Sequence, residues 1–369
     1  MMKSSPEPPI STRRKLTFLR RAESYPETAG GAVEMIETHF AWIFLTASHV
    51  YKMKKPERHV WDYGSLAIRE RGCRAELRLN RRLAPSVYLD VVPLTCKQDG
   101  ELRLGPGGRV VDWLIKMRRL SADHALDASF RSTGCVSARE QSRVIALLSR
   151  LYRTADRRPM SADSYLRSLR VRSIRNAKDL GAPDLRVNRM WVEQIVRIQQ
   201  QYVRENPLLL AARASHLVEG HGDLRPEHIF LDSPAGVPCV IDCLEFDAGL
   251  RRLDPAEELA FLMLECHRLG AHDFAENLGR GVLDSLQDAV SRGLVHFYMS
   301  CQALNRAKVA AWHLRDRRGA RRARHWRSRT ESYLSDADHY ARWAVSDHSK
   351  SPHPLKSAVT SAPDVCPAC

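Results

Sequence analysis

The chain has 369 residues, of which 44% are hydrophobic and 27% are charged, and its formal net charge at pH 7 is +15. These values are ordinary for a folded protein of one or two domains. No stretch approaches the roughly 18 to 20 uninterrupted apolar residues of a membrane span, and no apolar signal-peptide core follows the basic N-terminus, so neither membrane insertion nor export is predicted. Nine scattered cysteines, an odd number, fit a reducing compartment and predict a cytoplasmic location.

The first 30 residues are rich in Pro, Ser, Arg and Glu and show no hydrophobic periodicity. This composition predicts a disordered basic arm over residues 1–30.

Short apolar runs follow, as expected of β-strands. They are Val33–Ile36, Trp42–Leu45, Val50–Met53, Val87–Pro93 and Val110–Ile115. One helical pattern, over residues 66–83, interrupts them. We therefore predict a small sheet-rich lobe over residues 31–120.

Helical spacing of apolar residues dominates after residue 121, for example at Val144, Leu147, Leu148 and Leu151. This half predicts a larger helical lobe over residues 121–345, so the fold class is α+β with two lobes. Asp254 precedes Pro255 and an acidic first turn, which predicts the N-cap of a helix.

One predicted hairpin interrupts the helical half. The apolar runs Ile229–Leu231 and Pro238–Ile241 flank turn residues, and acidic residues stand where the hairpin begins and ends. Asp223 lies in the loop that enters it, and Asp242 follows its second strand. Such a hairpin brings two carboxylates that are distant in sequence to the same place, as a site for a metal ion and phosphate requires.

The C-terminal region is strongly basic. Eight arginines crowd residues 315–329, and we interpret them as a solvated face of a helix, since charge alone specifies no partner. No nucleic-acid partner is predicted. Residues 346–369 are predicted to be a disordered tail, and its Cys366 and Cys369 form a lone C-x-x-C that is weak evidence for metal or redox chemistry.

Phosphoryl transfer needs a carboxylate at the acceptor hydroxyl, metal ions on the phosphates and a cation that holds the nucleotide. The segment HGDLRPEHIFL contains His221, Asp223 and His228, and VIDCLEF contains Asp242. The first segment resembles the H-x-D-x-x-x-x-N catalytic loop of the kinase superfamily in its aminoglycoside- and choline-kinase form, with H-G-D for H-R-D. The second resembles that family's counterpart of D-F-G.

The resemblance is closer to an uncharacterised bacterial branch of predicted phosphotransferases. It rests on ETHFAWIFLTASHVYKMKKP, CRAELRLNRRLAPSVYLDVVPL, VDWLIKMRRL, LRRLDPAEELAFL and FYMSCQALNRAKVA, which occur in the expected order. It runs from about residue 17 to 315 and implies a protein-kinase-like fold with a nucleotide-binding N-lobe and a catalytic, acceptor-binding C-lobe.

The resemblance also implies a role for each matching residue. Asp223 would be the catalytic base, with His221 as the buttress of its loop, and Asp242 would bind Mg²⁺. Lys54 would hold the α and β phosphates of ATP, with Lys52, on the same strand face, as the rival candidate. Glu76 would pair with that lysine.

Two departures from the family pattern bear on these roles. His228 replaces the metal-binding Asn, so it is predicted to be a metal-side residue, and Mn²⁺ becomes an alternative to Mg²⁺. The turn Thr38-His39-Phe40, where Thr38 and His39 would cover phosphates, lacks the usual glycines. Each residue also has a structural interpretation, such as a core histidine bonded to backbone for His228, or a solvated lysine for Lys54.

The predicted function is therefore transfer of the γ-phosphoryl group of ATP to an alcohol of a small molecule. Aminoglycosides are not the predicted acceptor, because they are polycations and the C-terminal helices are rich in arginine. A neutral or anionic hydroxylated metabolite fits these charges better, and a protein acceptor is the other option. The alternative is a nucleotide-binding pseudokinase, in which His228 marks lost chemistry and the basic helix binds a partner or RNA. The sequence predicts no oligomeric state and does not identify the acceptor.

Overall fold

Residues 10–27, 31–56, 63–315 and 320–346 are described by the computed structural model. The chain separates into two units, the first formed by Met1–Ala125 with Phe230–Asp247 and the second by Leu126–Ile229 with Ala248–Cys369. The sequence places the boundary near residue 120 and assigns residues 230–247 to the larger lobe. The structure instead ties this segment to the first unit, where side chains of that unit bond Asp242 and Cys243.

A six-stranded antiparallel sheet forms the first unit, in the order β1-β2-β3-β6-β4-β5. Its strands are β1 (Glu34–Glu37), β2 (Ala41–Leu45), β3 (His49–Lys54), β4 (Tyr88–Cys96), β5 (Leu102–Leu104) and β6 (Arg109–Arg118). Five of them overlap the predicted runs. The sequence misses β5, because three residues are too few to show an alternating pattern.

One helix of the first unit carries a candidate site residue. After α1 (Thr12–Leu19), helix α2 (Leu66–Arg81) begins where Ser65 accepts the N–H of Ile68, a side-chain N-cap. Glu76 lies on its buried face with Cys73 and Leu79, and the helix packs on β4 and β6. Helix α2 therefore presents a buried carboxylate to the sheet.

Helix α1 corrects the predicted disordered arm. The Ser11 hydroxyl accepts the N–H of Arg14 at the start of the helix, and Leu19 is fully buried in the core of the first unit. Lys15 is buried as well, with Nζ 2.8 Å from Asp112 Oδ2. The prediction is therefore wrong for this helix, because an anchor supplied by β6 is not visible in the local composition. Residues 1–9 and 28–30 lie outside the described residues.

Lys15→Met is expected to lower the free energy of unfolding by about 1–3 kcal/mol, the cost of leaving a buried polar group unsatisfied. The loss stays below the 3–5 kcal/mol of a fully broken buried pair, because Arg69 Nε still donates to Asp112 at 2.7 Å. Urea unfolding measures the difference. The control is Arg13→Met, which removes an exposed cation from the same helix. Equal stability of the two variants would contradict the anchoring role.

Helices dominate the second unit. They are α3 (Leu126–Ser132), α4 (Ala138–Thr154), α5 (Ala162–Leu180), α6 (Arg189–Glu205), α7 (Pro207–Arg213), α8 (Ala248–Arg251), α9 (Pro255–Arg268), α10 (His272–Ser285), α11 (Arg292–Trp312) and α12 (Ala320–Ser346). The short strands β7 (Val218–Glu219) and β10 (Arg252–Leu253) pair antiparallel. Helices α9 and α11 are buried over most of their length and form the centre of this unit. No helix in the described ranges combines the length and hydropathy needed to cross a membrane.

The predicted N-cap and the predicted hairpin are both present. Asp254 accepts the N–H of Ala256 at 3.0 Å at the start of α9, and its carboxylate is also bonded by Arg213 and Tyr298. The hairpin consists of β8 (Ile229–Phe230) and β9 (Cys239–Val240). Its two strands are shorter than the apolar runs that predict them.

The basic C-terminal segment lies partly on α12. Its exposed arginines are Arg321, Arg322, Arg324 and Arg327, as a solvated helix face requires. Arg317, Arg318 and the tail with Cys366 and Cys369 lie outside the described residues.

Candidate active site

The first cluster of candidate residues lies in the first unit, directly after β9. Asp242 has a backbone φ of +63°, in the left-handed region that few non-glycine residues adopt. The Tyr88 hydroxyl accepts the N–H of Asp242 at 3.1 Å, and Asn80 Oδ1 accepts the N–H of Cys243 at 2.9 Å, so two buried side chains hold this conformation. Backbone outliers that the surroundings enforce occur often at functional sites, which favours a functional role for Asp242.

Lys52 connects Asp242 to helix α2. Its Nζ lies 2.7 Å from Asp242 Oδ1 and 2.9 Å from Glu76 Oε1. Burial alone would lower the pKa of Lys52, but the carboxylates of Asp242 and Glu76 raise it well above its ordinary value. Lys52 is therefore a fixed cation beside a carboxylate whose side chain is 46% exposed.

Lys54 lies in a more enclosed network. The predicted ion pair with Glu76 is present, with Lys54 Nζ 2.6 Å from Oε2. Nζ also contacts Glu245, whose carboxylate accepts the Tyr63 hydroxyl at 2.8 Å. Burial opposes the charge of Lys54, but Glu245 and Glu76 raise its pKa. Since the side chain of Lys54 is only 4% exposed and that of Lys52 is 16% exposed, the geometry favours Lys52 as the phosphate partner. The preference for Lys54 that the resemblance implies stays a prediction.

Asp242 has the donor chemistry of a magnesium ligand. A carboxylate oxygen is a hard donor, and Mg²⁺ in nucleotide sites needs only one or two carboxylates, because phosphates and water supply the other ligands. The exposed carboxylate of Asp242 meets that requirement. In the described part of the chain, no group of three or more His, Cys, Asp or Glu side chains forms a metal site of its own.

The predicted phosphate-covering turn is present between β1 and β2. The Thr38 hydroxyl accepts the N–H of Ala41 and donates to the carbonyl of Ala41, each at 3.0 Å. This hydroxyl therefore closes the turn, which does not fit direct phosphate binding by the Thr38 side chain. The His39 ring lies edge-on to Phe40, with ring centroids 4.7 Å apart, and its predicted role stays a prediction.

The second cluster lies in the second unit, on the loop between β7 and β8. Glu258 of α9 accepts the N–H of His221 at 3.0 Å and that of Gly222 at 2.5 Å, and it accepts the Tyr152 hydroxyl at 3.0 Å. The fully buried His221 accepts the N–H of Asp223 at Nδ1, at 3.3 Å. His221 thus fits the buttress that the resemblance implies, because it acts on the backbone of Asp223.

Asp223 is surrounded by cationic and imidazole groups. Arg225 Nε donates to Asp223 Oδ2 at 3.2 Å, and Arg306 Nη1 of α11 lies 4.0 Å from Oδ1. Burial would raise the pKa of Asp223, but the charges of Arg225 and Arg306 hold it below its ordinary value. Asp223 is therefore ionised at neutral pH. A carboxylate with a low pKa is a weak base, so Asp223 fits the role of orienting a hydroxyl group better than the role of a strong base.

Both ring nitrogens of His228 are engaged. Nδ1 lies 2.8 Å from the carbonyl of Asp223, so it carries the proton and donates. Nε2 is then the acceptor, and Arg225 Nη2 donates to it at 3.1 Å. A metal ion needs the lone pair that Arg225 occupies. The geometry therefore does not fit the predicted metal ligand, and it matches the alternative of a histidine bonded to backbone.

His228→Asn is expected to leave the ratio of Mn²⁺- to Mg²⁺-supported turnover unchanged, because neither nitrogen of His228 is available to a metal. Turnover with each metal, titrated at saturating nucleotide, measures this ratio. Asp242→Asn is the comparison variant and is expected to weaken activation by both metals. A shift of the His228→Asn ratio toward Mg²⁺ would restore the predicted ligand role.

Several side chains at the two clusters are absent from the sequence prediction. They are Tyr88, Arg225, Glu245, Glu258 and Arg306. Arg225 and Glu245 stand inside the two quoted motifs, so their position was a usable signal. Tyr88, Glu258 and Arg306 lie in other quoted segments, but nothing in those segments marks these three residues as neighbours of the two clusters.

No family model matches the chain. An uncharacterized protein of Mycobacterium tuberculosis strain H37Rv is 29% identical over 292 residues, which cover 78% of this chain and 56% of the relative. An uncharacterized protein of Mycobacterium bovis matches with the same values. The chain thus spans little more than half the length of the curated relatives it matches.

Solved structures resemble the chain over most of its length. The crystal structure of choline kinase from Cryptosporidium parvum has a TM-score of 0.50 at 10% identity, over 92% of this chain and 98% of that chain. A putative aminoglycoside phosphotransferase from Ralstonia eutropha has a TM-score of 0.49 at 13% identity, over 90% and 98%. At such identities the likeness concerns the fold alone, and the first of the two supports it. The fold class predicted from the sequence is thereby confirmed.

Proposed function

We propose that this chain, which has the protein-kinase-like fold of the choline and aminoglycoside kinases, transfers the γ-phosphoryl group of ATP to an alcohol of a small molecule. The observation that carries the proposal is the arrangement of Lys52 between Asp242 and Glu76. In this arrangement a cation held by two ion pairs lies beside an exposed carboxylate whose backbone conformation is held by neighbouring side chains. A metal–nucleotide complex needs such a cation for its phosphates and such a carboxylate for its metal ion.

In the proposed reaction, the acceptor oxygen forms a bond to the γ-phosphorus while the bond from that phosphorus to the β–γ bridging oxygen breaks. The electron pair of the broken bond leaves with ADP, and the hydroxyl proton passes to Asp223 or to water. Lys52 neutralises phosphate charge, and Asp242 would hold Mg²⁺. When bound, Mg²⁺ neutralises charge on the phosphates.

Asp223 orients the acceptor in this proposal. Its carboxylate is ionised and its backbone is fixed through His221 and Glu258, so it can accept a hydrogen bond from a hydroxyl group without rearranging. A low pKa makes a weak base, and phosphoryl transfer needs orientation of the nucleophile more than early proton removal.

One observation favours a second candidate, a nucleotide-binding protein without turnover. Arg225 Nε donates to Asp223 Oδ2 and therefore competes with an acceptor hydroxyl for that carboxylate oxygen. His228 also stands where the resembling family has its metal-binding Asn.

Incubation with γ-labelled ATP and a metabolite extract, together with a nucleotide titration, tests the proposal. Label transfer that depends on Asp223 supports the kinase, and nucleotide binding without transfer supports the second candidate. Absence of nucleotide binding would overturn both. Transfer that is unaffected by Asp223→Ala would overturn the assigned mechanism.

A further inference from the structure

We propose that the phosphoryl acceptor is an anionic alcohol, whose carboxylate or phosphate group is bound by Arg306 while its hydroxyl group is oriented by Asp223. This inference rests on the proposed function and narrows its substrate class.

Arg306 is a cation with unused hydrogen-bonding capacity. It lies on α11, its side chain is 16% exposed, and its Nε is buried with no hydrogen-bond partner in the described structure. Its ion-pair partner among the described residues is Asp223, at 4.0 Å, which is too long for a hydrogen bond. Because a guanidinium carries five N–H donors in a planar fork, such a side chain is suited to bind a carboxylate or phosphate.

The neighbours Tyr333 and Glu265 act on the charge of Arg306 without giving its Nε a hydrogen-bond partner. The rings of Phe261 and Tyr333 lie with centroids 5.9 Å from its guanidinium carbon. The nearby Glu265 carboxylate accepts the Tyr333 hydroxyl, at 2.9 Å for Oε1 and 3.1 Å for Oε2. An aromatic setting strengthens a charge-assisted bond to a ligand because it excludes water.

The second arginine beside Asp223 differs from Arg306 in its contacts. Arg225 donates to Asp223, to Glu227 and to His228, so its guanidinium is engaged within its own loop. Arg306 comes from helix α11, and its ion pair with Asp223 has a separation of 4.0 Å. We therefore assign the acceptor's charge to Arg306 and not to Arg225.

The charges around Asp223 disfavour a cationic acceptor. Arg225 and Arg306 both act to lower the pKa of Asp223. A polycation such as an aminoglycoside needs carboxylates around the reacting hydroxyl, whereas this carboxylate is flanked by arginines. The distance of 4.0 Å between Asp223 Oδ1 and Arg306 Nη1 also requires that the hydroxyl and the anionic group lie within a few bonds of each other.

The test separates a metabolite extract by anion exchange at neutral pH and assays each fraction with γ-labelled ATP. Acceptor activity is expected in the retained, anionic fractions. Arg306→Gln is expected to raise the KM for that fraction about tenfold or more, as for a lost charge-assisted bond, and to leave the KM for ATP unchanged. Arg306→Lys keeps the charge without the planar fork, so an intermediate KM is expected. Arg324→Gln, on the exposed face of α12, is the matched control.

Acceptor activity confined to the unretained fractions would overturn the inference and leave the kinase proposal standing. A rise in the KM for ATP in Arg306→Gln, with the acceptor KM unchanged, would also overturn it, because Arg306 would then serve the nucleotide.

A second measurement does not depend on turnover. Inorganic phosphate, at matched ionic strength, is expected to raise the melting temperature of the wild type and of Arg324→Gln by more than that of Arg306→Gln, in which only the Lys52 site remains. If no fraction accepts phosphate, the proposed function fails, whereas this dependence on Arg306 still supports an anion site. An equal shift in all three proteins, or no shift in the wild type, would overturn the anion site itself.

Discussion

Asp223→Asn is expected to lower the rate of phosphoryl transfer by about 10²–10⁴-fold, the typical range for loss of a positioned acid-base group. The nucleotide affinity is expected to stay nearly unchanged, because the residues assigned to the nucleotide, Lys52 and Asp242, belong to the first unit. Single-turnover transfer of label from ATP measures the rate, and a fluorescent-nucleotide titration measures the affinity.

Asp232→Asn is the matched control for this prediction. Asp232 is an exposed aspartate on the hairpin that follows the loop of Asp223, and it has no assigned role. Wild-type transfer by Asp223→Asn would show that another group orients the acceptor. An equal loss in both variants would point to a general effect of removing a negative charge.

The sheet of the first unit is largely predictable from the sequence, because its longer strands are apolar runs, and α2 lies within the one helical pattern that interrupts them. Helix α1 is not, since its eight residues include three that are basic, and its burial depends on Asp112 of a distant strand. Local propensity cannot reveal a partner that lies almost 100 residues away.

The site was predictable where its residues are close in sequence. Asp223 and His221 share one loop, and Asp242 follows the hairpin strand, so short motifs locate them. The role of His228 was not predictable, because it depends on which partner each ring nitrogen meets. Arg306 stands in the quoted segment FYMSCQALNRAKVA, but its approach to Asp223 is not evident from the sequence, because α11 meets the loop only through the tertiary fold.

The two lysines of β3 show most clearly that the sequence does not reveal the tertiary partners of a side chain. Lys52 and Lys54 are two residues apart and share a strand face, so the sequence cannot separate them. Their partners in the structure distinguish them, because Lys52 contacts the exposed Asp242 and Lys54 contacts the buried Glu245. Both also bind the same carboxylate, Glu76.

Lys52→Met is therefore expected to reduce kcat/KM for ATP by roughly 10²-fold, a typical cost of losing one preorganised electrostatic contact. Lys54→Met is expected to act mainly on stability, with a loss of about 3 kcal/mol, at the lower end for a broken buried ion pair. The lower end applies because Tyr63 still donates to Glu245 and Lys52 still pairs with Glu76. Urea unfolding and steady-state kinetics separate the two effects.

Adding Glu245→Gln to Lys54→Met distinguishes an unpaired charge from lost packing. If the buried carboxylate causes the instability, its replacement by an amide is expected to recover part of the lost unfolding free energy, because a neutral group costs less to bury than an unpaired charge. The same substitution should not restore kcat/KM to Lys52→Met, whose lost contact is with Asp242. If Lys54→Met lost turnover at unchanged stability while Lys52→Met kept it, the phosphate role would return to Lys54, as the sequence resemblance implies.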